Sequence, residues 1–239
     1  MKIGVIGGNG VAATNRLCYM VERKVTAAGA FRDAHHPEMI VWQATSVPSR
    51  SMFLEGRGPD WRPQYVEIAR HFKSLGCDLA CMCCNTAHYA IDDIVEGSGI
   101  HFINLLQVVA EKVKSLGLAK VEMWVSDGAR KHDIYGAAFR RFAPECEMLY
   151  PSVERQKLVT RVICAVKTNA RFLPIDDPEH PQSILRELLE GVQAPVVLGC
   201  TDLRVAYCGN EPVPEGIVVD SLECLADYIV DKAYIAKES

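Results

Sequence analysis

Two similar α/β lobes, each a mainly parallel four-stranded sheet flanked by helices, with a site in the cleft between them, is the architecture this sequence predicts. Three observations lead there. Short apolar runs that end in small or polar residues alternate with stretches of helical apolar spacing, as in parallel sheets covered on both faces. Glycines at 29, 76, 117 and 191 fall just past four of the helical stretches, where helices commonly stop. The two halves also share an ending: one strand runs into CMCCNTAH (81–88) and another into VVLGCTDL (196–203), each setting cysteine and threonine where a strand turns into a helix.

Taken in order, the strands are KIGVIGG (2–8), MIVWQATS (39–46), DLACMCCNT (78–86), HFINLL (101–106), VEMWVSDG (121–128), the shorter MLYPS (148–152), APVVLGCTD (194–202) and GIVVDS (216–221). Their lengths and β-branched content suit buried strands. Helices are predicted over Asn15–Ala28, Pro63–Leu75, Leu106–Leu116, Asp133–Phe142, Glu154–Lys167, Pro181–Glu190 and Leu222–Ala236, where apolar residues recur with 3.6-residue spacing. Asn169 to Pro181, with three prolines, reads as a long loop. The first lobe is expected to span 1–104 and to be completed by 208–239, with the second over 105–207.

Composition narrows the class. With 239 residues, 49% hydrophobic and 23% charged, the chain can bury a substantial core. A net charge of −4 from 26 basic and 30 acidic residues, without long single-sign runs, argues against nucleic-acid or membrane-surface partners. No apolar run approaches the roughly 20 residues that span a bilayer, and MKIGVIGGNG lacks the pattern of a signal peptide. The expected setting is the cytoplasm, where the ten cysteines stay reduced and are buried, catalytic or metal-binding.

The cysteine cluster admits three readings. Cys81, Cys84 and His88 could ligate zinc, but in a strand Cys81 and Cys84 face opposite ways. A vicinal Cys83-Cys84 or a Cys81/Cys84 redox pair needs an exposed dithiol beside a helix start, for which nothing else speaks. The third reading gives Cys81 and Cys83 to packing and sets Cys84 at the carboxyl end of a parallel strand, where open α/β sheets bind ligands. Gly8 to Ala13 also satisfies the G-x-G-x-x-G/A dinucleotide pattern, yet the second strand ends without the acidic residue that would hold a ribose. The glycines then make a tight turn at which Gly8 and Asn9 let a small anionic group approach backbone amides and a helix N-terminus.

Together GGNGVAAT, CNTAH and LGCTDL resemble the aspartate/glutamate racemase family, most closely its aspartate racemase branch, and their order covers nearly the whole chain. The resemblance implies two α/β lobes with the active site between them, no cofactor and no metal, a small-molecule amino-acid substrate and a homodimer. Carried over by position, it implies that Cys84 and Cys200 are the catalytic thiols, the first acting on the D form and the second on the L form. Asn85, Thr86 and Thr201 help to hold the α-carboxylate and amino group. Arg50, at the end of SVPSR, and Lys167 match the two cations that bind a side-chain carboxylate, while Asp202 and His88 are supporting positions. The chemistry suits the residue types, since racemisation needs one group to remove the α-proton and another to protonate the opposite face. Helix N-termini after both motifs are expected to lower the thiol pKa values.

Three departures mark this chain. Val11 stands where the family usually has proline, Asp202 where it usually has glutamate, and SDGARKHDIY carries Ala129 in place of a threonine while keeping Tyr135. The reading is thus a cofactor-independent racemase of an acidic amino acid, aspartate ahead of glutamate. Its rivals are a hydantoin racemase, a maleate isomerase or a broad-specificity racemase using the same thiols, and an amino-acid-binding protein without turnover.

Overall fold

The computed structural model describes residues 1–207 and 214–234. In chain order these form β1 (Lys2–Gly7), α1 (Val11–Ala27), β2 (Glu38–Gln43), α2 (Arg50–Leu54), α3 (Arg62–Ser74), β3 (Leu79–Met82), α4 (Ile91–Ser98), α5 (Leu105–Ser115), β4 (Lys120–Trp124), α6 (Asp127–Lys131), α7 (Gly136–Phe142), β5 (Glu147–Leu149), α8 (Val153–Ala165), α9 (Pro181–Leu189), β6 (Val196–Leu198), α10 (Thr201–Val205), β7 (Ile217–Asp220) and α11 (Ser221–Tyr234). Single 3₁₀ turns at Asp33–His35, Thr86–Ala90 and Asn169–Phe172 complete the path. All seven helices read from periodicity are present, α1 beginning four residues early and the last two predicted positions of α11 lying outside the described residues.

Two parallel sheets organise these elements, with strand orders β2-β1-β3 and β5-β4-β6-β7. The first sheet has three strands, not the expected four. HFINLL pairs with β3 through one parallel bridge, Ala80 to Phe102, flanked by backbone bonds from Ala80 N to His101 O and from Ile103 N to Ala80 O, each 2.8 Å. Extension stops there because Asn104 caps α5, its side chain accepting from the Gln107 N–H at 3.2 Å. A second difference concerns the C-terminal segment expected to complete the first lobe: β7 pairs with β6 in the second sheet, while α11 packs against α1 and α5.

Strand periodicity sorts the core. Ile3 and Val5 of β1, with Cys81 and Cys83, face Leu17, Met20 and Val25 of α1, and this cluster runs on through α5 into Val121, Met123 and the α8, α9 and α11 side chains. On the other face Ile6, Ala80 and Met82 meet Trp61, Tyr65 and Phe72 from the start and body of α3, and Cys84 packs against that group. Each such fully buried large side chain contributes about 1.5–3 kcal/mol. The alternation puts Cys83 and Cys84 on opposite faces, as expected.

Candidate active site

The end of β3 is set by the Cys83 N–H donating to Ile6 O at 3.0 Å, after which Cys84 leads into the Thr86–Ala90 turn and α4. The end of β6 is set in the same way by the Gly199 N–H donating to Trp124 O at 2.9 Å, after which Cys200 precedes α10. Both thiols are partly buried and line one cavity of about 230 Å³. Asn9, Arg50, Asn85, Thr86, Lys167, Thr201 and Asp202 share its walls. Nine of the eleven site residues read from sequence therefore meet in one place. Gly8 lines an adjoining cavity instead, and His88 touches neither.

Elements remote in sequence close the cavity. Thr86 Oγ1 bonds to Ser126 Oγ at 2.9 Å, and Asn85 is held from both sides: its Oδ1 accepts from Tyr135 OH at 2.6 Å and its Nδ2 donates to Ser221 Oγ at 2.9 Å. One N–H and one lone pair of that amide are left for a ligand. Thr201 Oγ1 donates to Cys83 O at 3.3 Å, tying the two cysteine motifs together. At Gly8 (φ 80°) and Gly10 (φ 152°) the backbone is left-handed, and a Cβ at Gly10 would lie 2.5 Å from Asp202 Oδ1. The Gly8 N–H is already donated to Thr14 Oγ1 at 3.2 Å, so the anion approach expected at that amide is not available.

Arg50, Glu55, Arg57, Asp127, Lys167 and Asp202 bring charge to the cavity wall. Lys167 Nζ lies 2.9 Å from Asp202 Oδ2, with Asp202 buried and Lys167 half exposed. Burial pulls the Lys167 pKa down, but Asp202 lifts it further, leaving it above the ordinary lysine value. Burial raises the Asp202 carboxyl against the pull of Lys167 and Arg50. Arg50 spends Nη1 on the carbonyls of Val47 and Pro48 at 3.3 and 2.9 Å, while its buried Nε has no partner.

Cys200 corrects one expectation. Burial pushes its thiol well above the ordinary range and Asp202 adds to this, overriding Lys167 and the Asp202 N–H. A helix start of five residues does not outweigh desolvation. The cost of forming that thiolate falls when a cation, such as an α-ammonium group, enters beside it.

His88 stands behind the site. In the neutral ring Nδ1 donates to Cys84 O at 3.0 Å and Nε2 accepts the Leu105 N–H at 3.1 Å, joining the β3 turn to the start of α5. Cys81 and Cys84 face opposite clusters, so with His88 they do not converge on one point. Burial depresses the His88 pKa from 6.5 to about 4. The unfolded chain then takes up a proton first, so this group's stability contribution is complete above pH 6.5 and is lost on acidification toward pH 4, at up to about 1.4 kcal/mol per pH unit. Urea unfolding between pH 7 and 4 should show that loss, and His88→Gln should flatten it. Equal slopes would contradict the assignment.

Ser51, Ser126, Asp127, Thr160 and Cys164 also line the cavity and were not read from the sequence. Only Ser126 left a signal, as the residue at a strand end that caps α6 through the Ala129 N–H at 3.4 Å.

Comparison with known proteins gives one family: the profile described as Asp/Glu/Hydantoin racemase matches residues 3–229. Among solved structures the chain is similar to the Picrophilus torridus aspartate racemase, with a TM-score of 0.78 at 22% identity over 97% of this chain and 94% of that one. It is also similar to an aspartate racemase homologue from Pyrococcus horikoshii (TM-score 0.61, 21% identity, 97% and 98% covered). Glutamate racemase from Thermus thermophilus follows (TM-score 0.59, 20% identity, 99% and 81% covered). At these identities the likeness is one of fold.

Proposed function

The chain belongs to the Asp/Glu/hydantoin racemase family and is an isomerase, and from that premise we propose that it racemises an acidic amino acid, aspartate ahead of glutamate, by passing the α-proton between Cys84 and Cys200. The observation that carries this reading is that both thiols line one small cavity whose walls also supply Arg50 and Lys167.

In the proposed cycle one cysteine, as thiolate, removes the α-proton while the other, as thiol, protonates the opposite face of the carbanion. The reaction needs no redox partner, because a proton leaves and a proton arrives. The α-carboxylate sits against the free N–H of Asn85 and the Thr86 hydroxyl, which also spread the charge that develops on it, while Thr201, its hydroxyl proton given to Cys83 O, offers a lone pair to the α-ammonium group. The α-ammonium group beside Cys200 favours the thiolate that burial and Asp202 disfavour. Arg50 and Lys167 take the side-chain carboxylate, Asp202 orients Lys167, and His88 holds the Cys84 turn. Cofactor independence, a homodimer, a cytoplasmic setting and the division into lobes near residue 104 belong to the same proposal.

Incubating L- and D-aspartate, glutamate, alanine and serine with the protein in D₂O, and following α-deuteration and chirality, tests the reading. Aspartate and glutamate should exchange and invert; exchange confined to neutral substrates would sink it. Arg50→Ala should lower kcat/KM for aspartate by about 10- to 150-fold, the loss of a charge-assisted contact worth roughly 1.5–3 kcal/mol. Alanine should be much less affected, and an equal loss on both would make Arg50 structural.

A further inference from the structure

Beside the thiol cavity lies a second, larger one of about 600 Å³. Asn9, Ser49, Arg50, Lys167 and Asp202 face both spaces, so they form the partition between them. We propose, resting on the racemase reading above, that the outer cavity receives the distal half of a larger substrate: an acidic amino acid extended through its side-chain carboxyl by an amide bond to a second, carboxylate-bearing residue.

A substrate whose α-carbon lies between Cys84 and Cys200, with its side chain toward Arg50, points at the partition, and whatever is attached beyond the side-chain carbonyl falls in the outer space. Aspartate and glutamate end at the partition and leave that space to water.

The partition is matched to an amide. Asn9 is 6% exposed; its Nδ2 is engaged with Tyr65 OH, and its Oδ1 is buried without a partner. A carboxylate has no hydrogen to offer that oxygen, whereas an amide N–H satisfies it while the amide carbonyl accepts from Arg50.

Charge beyond the partition is matched to one more anion. Lys167 is balanced by Asp202, but Arg171, on the outer wall, has no ion pair among the described residues and lies over the ring of Phe172 at 4.5 Å. The 17-residue helix α1 opens onto the same space with no acidic residue in its first turn and no side-chain cap. Phe172 stands 72% exposed at the rim, an apolar surface for the backbone of the added residue.

The chemistry is unchanged. One thiolate takes the α-proton of the acidic residue, the other thiol returns a proton to the opposite face, and the amide bond stays intact.

The full chain, incubated in D₂O with β-aspartylglycine and γ-glutamylglycine alongside aspartate and glutamate, tests this by proton NMR and chiral separation. An ω-linked dipeptide should be deuterated at its acidic α-carbon with a kcat/KM at least equal to that of its parent. Arg171→Ala should lower the dipeptide value about tenfold or more, leaving aspartate nearly unchanged and thermal unfolding as in the parent protein. Exchange on aspartate or glutamate but on neither dipeptide overturns the extension alone. Dipeptide exchange unaltered by both Arg171→Ala and Phe172→Ala overturns the outer-cavity assignment. Failure of all four substrates to exchange overturns the racemase reading and this one with it.

Discussion

Cys84→Ser and Cys200→Ser should each lose racemisation almost completely, by about 10²- to 10⁴-fold for the proton transfer proposed for each thiol. A serine hydroxyl is a far weaker acid than a thiol and gives no useful base at neutral pH. If the thiols address opposite faces of one α-carbon, inversion needs both, so neither direction survives the loss of one. Exchange of the α-hydrogen with solvent needs only a base on the correct face, and it separates the mutants. Each should retain slow deuteration of one enantiomer, Cys84→Ser of the L form and Cys200→Ser of the D form. Cys83→Ser is the control, because its side chain lies in the opposite core cluster from Cys84; it should cost stability and spare turnover. An inactive Cys83→Ser beside a fully active Cys84→Ser would show the strand register to be wrong.

Much of this site was legible because strand ends are local features. The period of two along DLACMCC assigns Cys83 and Cys84 to opposite faces, and the small or polar residues after each apolar run mark where the strand stops. Helices α2, α4, α6 and α10, of five to eight residues, were not read because they are too short for periodicity to show. The contacts that close the cavity could not be seen at all. Ser126 reaches Thr86 across 40 positions and Ser221 reaches Asn85 across 136, and no spacing rule links residues so far apart. HFINLL reads as a strand from its apolar content, but the cap at Asn104 ends it after one bridge. The thiol pKa escapes the sequence for a related reason. A helix start is visible in sequence, whereas the burial of Cys200 and the approach of Asp202 are products of the fold.

Lys167 and Asp202 should move the activity of Cys200 in opposite directions. Lys167→Met removes the cation that lowers the Cys200 pKa, strips the buried Asp202 of its partner and takes away one of the two anchors proposed for the side-chain carboxylate. Loss of a charge-assisted contact costs about 1.5–3 kcal/mol, so kcat/KM for aspartate should fall by roughly 10- to 150-fold. Asp202→Asn removes the charge that lifts the Cys200 thiol, and the thiolate becomes easier to form. The sign follows from which protonation state each direction requires. With the substrate that Cys200 deprotonates, the free enzyme needs Cys200 as thiolate, so the acid limb of kcat/KM should shift to lower pH in Asp202→Asn and to higher pH in Lys167→Met. With the opposite enantiomer Cys200 must be a thiol, and the same displacements should appear on the basic limb. The two thiols titrate as a coupled pair, so the limbs report the pair, but the direction of each shift survives that coupling. A structural role for the ion pair would lower activity at every pH without moving either limb. Shifts in the same direction for both variants would contradict the electrostatic assignment.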